Sequence, residues 1–134
     1  MERPVTRGPL AERPVPSEVA PVTLLTCHLG SDGTLVRAAV AAGARGIVAT
    51  GLGAGFAPAA ERAALVEADE AGVAVCLARR TTHGRTVGAV DTAPFLSAGA
   101  LTALQARLVL SVGLADGPTP GTRSLQDLLD GCGA

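Results

Sequence analysis

Short apolar runs alternate with stretches of helical periodicity along most of this chain. The runs cover residues 22–26, 47–49, 73–78 and 95–98, and they contain few polar positions. Continuous apolar runs of this length are typical of strands that are buried on both faces of a parallel sheet. The pattern therefore predicts four strands, each of which needs cover from both sides.

Helical periodicity separates these runs, and glycines end several of the helical stretches. The pattern predicts helices over residues 33–42, 59–71 and 102–112, and a short last helix that begins at Thr122 or Ser124 and ends at Gly131. Ser31 or Asp32 is a suitable N-cap for the first helix. Strands that alternate with helices pair in parallel through right-handed crossovers. We therefore expect a small three-layer α/β domain, with a four-stranded, mostly parallel sheet and helices on both faces.

Residues 1–21 differ from the rest of the chain because prolines recur through them. The prolines occupy positions 4, 9, 14, 16 and 21 and are interspersed with charged residues. Proline lacks a backbone N–H, which disfavours it in helix interiors and central strands. We therefore predict an extended tether over 1–21, without helix and with nothing to bury, followed by the α/β domain over 22–134. Deleting the tether is expected to leave the fold intact.

Composition narrows the class of protein without indicating a function. The chain is 48% hydrophobic and 17% charged, which excludes a disordered chain. A net charge of −1 with scattered arginines predicts neither a nucleic-acid partner nor a membrane partner. No run is long enough to cross a bilayer, and Cys27, Cys76 and Cys132 have no paired spacing. We expect free cysteines, a cytoplasmic location, and neither a cofactor nor a metal.

The candidate chemistry lies where predicted strands end. Gly51, Gly53 and Gly55 form a G-x-G-x-G turn after the second strand. This spacing departs from the dinucleotide-binding G-x-G-x-x-G, and it also suits a simple tight turn. Arg79 and Arg80 follow the third strand and begin a long polar loop. One hypothesis is therefore a module that binds a small anionic ligand at the strand ends, through Gly53, Gly55, Arg79, Arg80 and His83.

A hydroxyl nucleophile is another hypothesis for the polar loop. Thr81 and Thr82 precede His83, but adjacency in sequence does not place the imidazole ring against either hydroxyl. A solvated loop is the simpler interpretation. His28 and His83 also lack further ligands at the spacing of a metal site. The sequence therefore assigns no catalytic residue and no metal ligand.

Two stretches of the chain resemble the C-terminal domain of bacterial L-asparaginases and glutaminases. The first stretch contains an A-G-x-x-G-I-V turn and strand, followed by a glycine turn that reads G-x-G-x-G-N in the family. This stretch runs VTLLTCHLGSDGTLVRAAVAAGARGIVATGLGAGFAPAAERAALVEADEAGVAV. The second stretch, PFLSAGALTALQARLVLSVGLA, keeps the register of the family's A-S-G segment at Ser97, Gly99, Leu101, Ala106, Arg107 and Leu110. The resemblance covers residues 22–115, and the proline-rich segment resembles the linker between the family's two domains.

The resemblance implies that catalysis belongs to another domain. The family's threonine nucleophile, and its Thr-Asp pair supported by a lysine, lie in the N-terminal domain, and this sequence contains no lysine. The family's C-terminal domain lends an Asn from the glycine turn to a neighbouring subunit, and the matching residue here is Phe56. It also lends an acidic residue from the loop before A-S-G, where Asp91 is the only acid. A Phe side chain cannot hydrogen-bond a substrate amide.

We therefore expect a domain without catalysis of its own that docks on a separately encoded N-terminal domain or on a second copy of itself. Within a complex it would be part of an asparaginase/glutaminase-type amidohydrolase. Phe56 is expected to be exposed at that interface, although packing against its own helix is the alternative. Two other functions stay open, namely the anion-binding module and an independent enzyme that uses Thr82 and His83.

Overall fold

The apolar runs form the strands of one parallel sheet. The computed structural model describes residues 8–87 and 94–133. Within these ranges the strands are β1 (Val22–Thr26), β2 (Gly46–Thr50), β3 (Ala74–Ala78) and β4 (Leu96–Ser97). They lie side by side in the order β1-β2-β3-β4, and every pairing is parallel. The predicted four-stranded α/β architecture is confirmed, and its sheet is parallel throughout.

Helices cover both faces of the sheet, and among the described residues one helix connects β1 to β2 and another connects β2 to β3. They are α1 (Thr34–Ala41), α2 (Ala59–Glu70), α3 (Ala103–Gly113) and α4 (Thr122–Cys132). α1 and α2 bury side chains such as Leu65 in the core on one face. α3 and α4 bury Leu110 and Leu129 in the core on the other face. In the part of the chain that the structure describes, no helix has the length and apolarity to cross a membrane.

Strand β2, inside the sheet, shows why a strand that is covered on both faces requires a continuous apolar run. Ile47 and Ala49 point into the core under α1 and α2, whereas Val48, between them, points into the core under α3 and α4. All three side chains are fully buried, because successive residues of a strand face opposite sides of the sheet. Burial of a side chain the size of Ile47 contributes about 1.5–3 kcal/mol to folding.

The N-terminus of α1 differs in detail from the sequence prediction. Its N-cap is Gly33, with φ of 84°, rather than Ser31 or Asp32. The Asp32 carboxylate still accepts a hydrogen bond from the backbone N–H of Thr34, at 3.0 Å. A Cβ at Gly33 would lie 2.5 Å from the Cβ of Ala64 on α2. Close packing of the two helices therefore selects glycine here, and the nearby aspartate supplies the capping oxygen.

The short edge strand β4 is completed by a side chain. The backbone N–H of Ser97 donates to Oε1 of Gln126, at 2.9 Å, and Nε2 of Gln126 donates to the Ser97 carbonyl, at 3.0 Å. The primary amide of Gln126 thus pairs with the outer edge of β4 as a further strand would. Unpaired strand edges invite association with other strands. Gln126 therefore protects this edge at Ser97.

The proline-rich segment packs against the domain over part of its length. A 3-10 helix spans Pro9–Glu12, and Leu10 contacts the core under α3 and α4. Ala20 is buried, and its N–H donates to the Ser111 carbonyl at 2.9 Å. The expectations that this segment contains no helix and has nothing to bury are therefore wrong. Proline is compatible with a first helical turn, so Pro9 begins the 3-10 helix rather than preventing it.

Leu10→Ser is expected to lower the free energy of unfolding by about 1 kcal/mol, because it removes a partly buried apolar side chain. Urea unfolding followed by circular dichroism measures the change. Val15→Ser is the matched control, since Val15 is 94% exposed, and it should leave stability unchanged. Equal effects of the two substitutions would show that the contact of Leu10 with the core contributes nothing.

Candidate functional site

The glycine turn after β2 is a closed hairpin rather than an open loop. The N–H of Leu52 donates to the Phe56 carbonyl at 2.6 Å, and the N–H of Phe56 donates to the Leu52 carbonyl at 3.1 Å. A Cβ at Gly51 would lie 2.4 Å from the carbonyl carbon of Gly55. Gly55 has φ of 118°, which other residues rarely adopt. Main-chain contacts within the turn therefore require glycine at position 51, and the backbone conformation favours it at position 55.

This hairpin is held against the chain that follows β3. The N–H of Gly51 donates to the Ala78 carbonyl at 2.9 Å, and the N–H of Arg80 donates to the Gly53 carbonyl at 2.9 Å. A Cβ at Gly55 would lie 2.8 Å from Cγ2 of Thr86. The glycines thus allow two backbone segments to approach each other, which was the simpler of the two interpretations drawn from the sequence.

The polar loop after β3 has an anchored base and an exposed tip. The N–H of Arg79 donates to Oγ1 of Thr86 at 3.0 Å, which closes the loop at its base. The N–H of Thr86 donates to the Gly99 carbonyl at 2.8 Å, and Oγ of Ser97 donates to the Val87 carbonyl at 2.6 Å. Residues 81–85 form the tip and are exposed. The base of the loop, at Arg79, Thr86 and Val87, is therefore anchored at this edge of the sheet.

The two arginines at the end of β3 are brought to one groove of about 340 Å³. Nη1 of Arg79 donates to the carbonyls of Ala100 and Leu101, at 3.1 and 2.9 Å. Nη2 of Arg80 donates to the Cys27 carbonyl, at the end of β1. Threonines supply the other polar side chains of the groove, and they are Thr50, Thr81, Thr82 and Thr102. We call this feature the Arg-Thr groove.

The remaining residues proposed from the sequence lie outside the Arg-Thr groove. His83 and Gly53 are exposed, Gly55 is buried within the hairpin, and Phe56 is 58% exposed. Asp91 lies outside the described residues. The sequence analysis did not name Thr50 or Thr102 as site residues. Thr50 ends β2, and Thr102 is the N-cap of α3, so both stand where parallel sheets gather ligand-binding groups.

The threonines of the loop are not arranged as activated nucleophiles. Oγ1 of Thr81 donates to the main-chain carbonyl of His83, at 2.9 Å, and not to its imidazole ring. Among the described residues, no hydrogen bond joins the hydroxyl of Thr81 or Thr82 to an imidazole. A nucleophilic hydroxyl needs a base within hydrogen-bonding distance. The same part of the chain contains no cluster of three His, Cys, Asp or Glu residues suited to a metal ion.

Two buried thiols lie on opposite faces of the sheet, with Cys27 in the core under α1 and α2 and Cys76 in the core under α3 and α4. The pKa of Cys27 is raised to about 11, mainly by burial and also by the nearby charge of Glu61, while the charge of Arg80 acts to lower it. Burial alone raises the pKa of Cys76 to about 12. Both cysteines are free, as the sequence predicted. Thiols that stay protonated are poor nucleophiles, so neither is suited to covalent chemistry.

The raised pKa values of Cys27 and Cys76 predict a loss of stability in mild alkali. The two thiols ionise above about pH 8.5 in the unfolded chain but stay protonated in the folded protein. Their contribution to the free energy of unfolding is therefore complete below that pH, and it is lost as the pH rises towards the pKa values of the folded state. Because the chain has no lysine and no tyrosine, few other side chains titrate in this range. Between pH 8 and pH 9, the free energy of unfolding should fall by about 1 kcal/mol.

Urea titrations under reducing conditions at the two pH values measure this fall. In the double variant Cys27→Ala/Cys76→Ala the pH dependence should largely disappear. An unchanged dependence in that variant would assign the loss to other groups and contradict the prediction.

Comparison with known proteins agrees with the resemblance seen in the sequence. A family model described as the glutaminase/asparaginase C-terminal domain matches residues 21–126. Among solved structures, a probable cytoplasmic L-asparaginase from Campylobacter jejuni shares the fold, with a TM-score of 0.77 and 23% identity. The match covers 86% of this chain and only 37% of that protein. A search of curated proteins finds no match. The family match covers most of the chain, and the protein therefore belongs to the glutaminase/asparaginase C-terminal domain family.

Proposed function

We propose that this domain is a non-catalytic docking module of an asparaginase/glutaminase-type assembly. It binds a family N-terminal domain carried by another polypeptide, or a second copy of itself. Catalysis then belongs to the N-terminal domain, and this domain contributes a binding face. We place the assembly in the cytoplasm, which is where the name of the Campylobacter protein places that relative.

The side chains at the carboxyl edge of the sheet support a role without catalysis. The hydroxyls of Thr81 and Thr82 have no imidazole base among the described residues, and the chain contains no lysine. The thiol of Cys27 is buried and protonated. Arg79 and Arg80 both donate hydrogen bonds to main-chain carbonyls, so part of their bonding capacity maintains the structure. The side chains at this edge are therefore better suited to binding a partner or a ligand than to catalysing a reaction.

The observation that carries the proposal is the exposure of Phe56. Its ring is 58% exposed at the end of the hairpin, where the family resemblance places an Asn that serves a neighbouring subunit. Phe56 is one of only two aromatic residues in the chain, and the other, Phe95, is buried. An exposed aromatic ring is a frequent centre of protein–protein contacts. We infer that an apolar contact replaces the substrate contact of the family.

The purified chain is expected to release no ammonia from asparagine or glutamine above the rate without protein. The hydroxyl of Thr81 donates to a main-chain carbonyl rather than to an imidazole base, and each missing transition-state donor costs several kcal/mol. A coupled ammonia assay measures the rate, with Thr82→Ala as the diagnostic variant. Ammonia release by the chain that Thr82→Ala abolishes would establish an independent enzyme instead.

Native mass spectrometry tests the docking role directly. The chain is measured alone and after mixing with an asparaginase N-terminal domain encoded in the same genome. A dimer of the chain or a stoichiometric complex supports docking. A chain that stays monomeric, both alone and in the mixture, would contradict it.

A further inference from the structure

The Arg-Thr groove combines two positive charges with several hydroxyls at one edge of the sheet. Thr50 ends β2, Arg79 and Arg80 follow β3, and Thr102 caps α3, so three separate elements converge there. The lining residues include no Asp and no Glu. Among the described residues, neither arginine forms a salt bridge, whereas Arg37 pairs with Glu67 elsewhere on the surface. The positive charge of the groove is therefore not neutralised by those residues.

Both guanidinium groups keep donors beyond the bonds that hold them in place. Nη1 of Arg79 binds two carbonyls, and its Nε is buried without an acceptor. Arg80 uses Nη2 for the Cys27 carbonyl. A guanidinium carries five N–H donors in a rigid plane, so Arg79 retains those of Nη2 for a ligand, and Arg80 retains those of Nη1 and Nε. The carbonyl contacts thus orient the two charges without consuming their capacity to bind an anion.

We propose that the Arg-Thr groove binds a small tetrahedral dianion of the phosphate or phosphate-ester class. Two guanidinium charges match a dianion better than a monocarboxylate, and the hydroxyls of Thr82 and Thr102 can donate to the acceptor oxygens of a phosphate. The first turn of α3, at Ala103 and Leu104, lines the same groove and adds the favourable end of a helix dipole. The assignment rests on the lining of the groove and not on the docking role, although the groove adjoins the hairpin that carries Phe56.

Inorganic phosphate is the probe, and a ¹H–¹⁵N titration of the full chain is the measurement. Phosphate should shift the amide signals of residues 79–82 and 102–104 in a saturable way. Sulfate, a dianion of the same shape, should do the same, and acetate should bind at least about tenfold more weakly, because it carries one charge. Phosphate shifts that do not saturate, or equal binding of acetate, would overturn the proposal.

Variants separate the groove from general attraction to a basic surface. Arg80→Gln should weaken phosphate binding at least about tenfold, the effect of removing a charge-assisted hydrogen bond. Arg85→Gln removes the same charge from the same loop outside the groove and should leave the affinity unchanged. If Arg80→Gln reduces the melting temperature, Thr82→Val is the second test of the groove. It removes a hydroxyl and is expected to weaken phosphate binding several-fold. Affinity that falls equally in Arg85→Gln, or persists in both groove variants, would contradict the assignment.

Discussion

Gly51→Ala is expected to lower the free energy of unfolding by about 3 kcal/mol or more. A Cβ at this position would lie 2.4 Å from the carbonyl carbon of Gly55 and 2.7 Å from the backbone nitrogen of Phe56. Backbone atoms cannot rotate away as a side chain can, so the hairpin must open to admit the methyl group. Opening it would also disturb the hydrogen bond from Gly51 to Ala78, which connects the hairpin to β3.

Gly53→Ala is the matched control, because Gly53 lies in the same turn with no atom within 4 Å of an added Cβ. Its φ of 53° is left-handed, so alanine there should lower the free energy of unfolding by about 1–2 kcal/mol. Chemical unfolding of both variants gives the comparison. If Gly51→Ala were no more destabilising than Gly53→Ala, the closed hairpin would not be the reason for glycine at position 51.

The strands were predictable from the sequence because the sheet is buried on both faces. Residues 47–49 are apolar without interruption, and the structure places alternate members in two different cores. The helix that follows β4 was predictable from its local signals. Thr102 caps α3 through a capping box with Gln105, three residues later. Such features depend on neighbours in sequence, so the sequence alone determines them.

Features that depend on distant residues were predicted less well. Leu10 was assigned to a tether because prolines and charged residues recur around it in sequence, yet it contacts a core built from residues far along the chain. Gly33 replaces the expected N-cap because Ala64, on α2, occupies the space beside it. The sequence predicted Arg79 and Arg80 as neighbours at the end of β3. It did not predict that the carbonyls of Cys27, Ala100 and Leu101 would orient them.

Phe56→Asn is expected to weaken association of the domain by about 1–3 kcal/mol, or roughly 5- to 150-fold in the dissociation constant. The ring is 58% exposed, so its removal takes little apolar area from the domain's own core. The hairpin that carries it is closed by main-chain bonds between Leu52 and Phe56, and these do not need the aromatic side chain. The monomer should therefore stay folded.

Sedimentation velocity over a concentration series measures self-association, and the same variant is tested against the N-terminal domain wherever that complex forms. Val19→Asn is the control, since Val19 is 55% exposed and precedes β1, at the opposite edge of the sheet from the end of β2. It should leave the dissociation constant unchanged. A large fall in melting temperature with unchanged association in Phe56→Asn would show that the ring packs on its own domain, and the docking role of Phe56 would then be wrong.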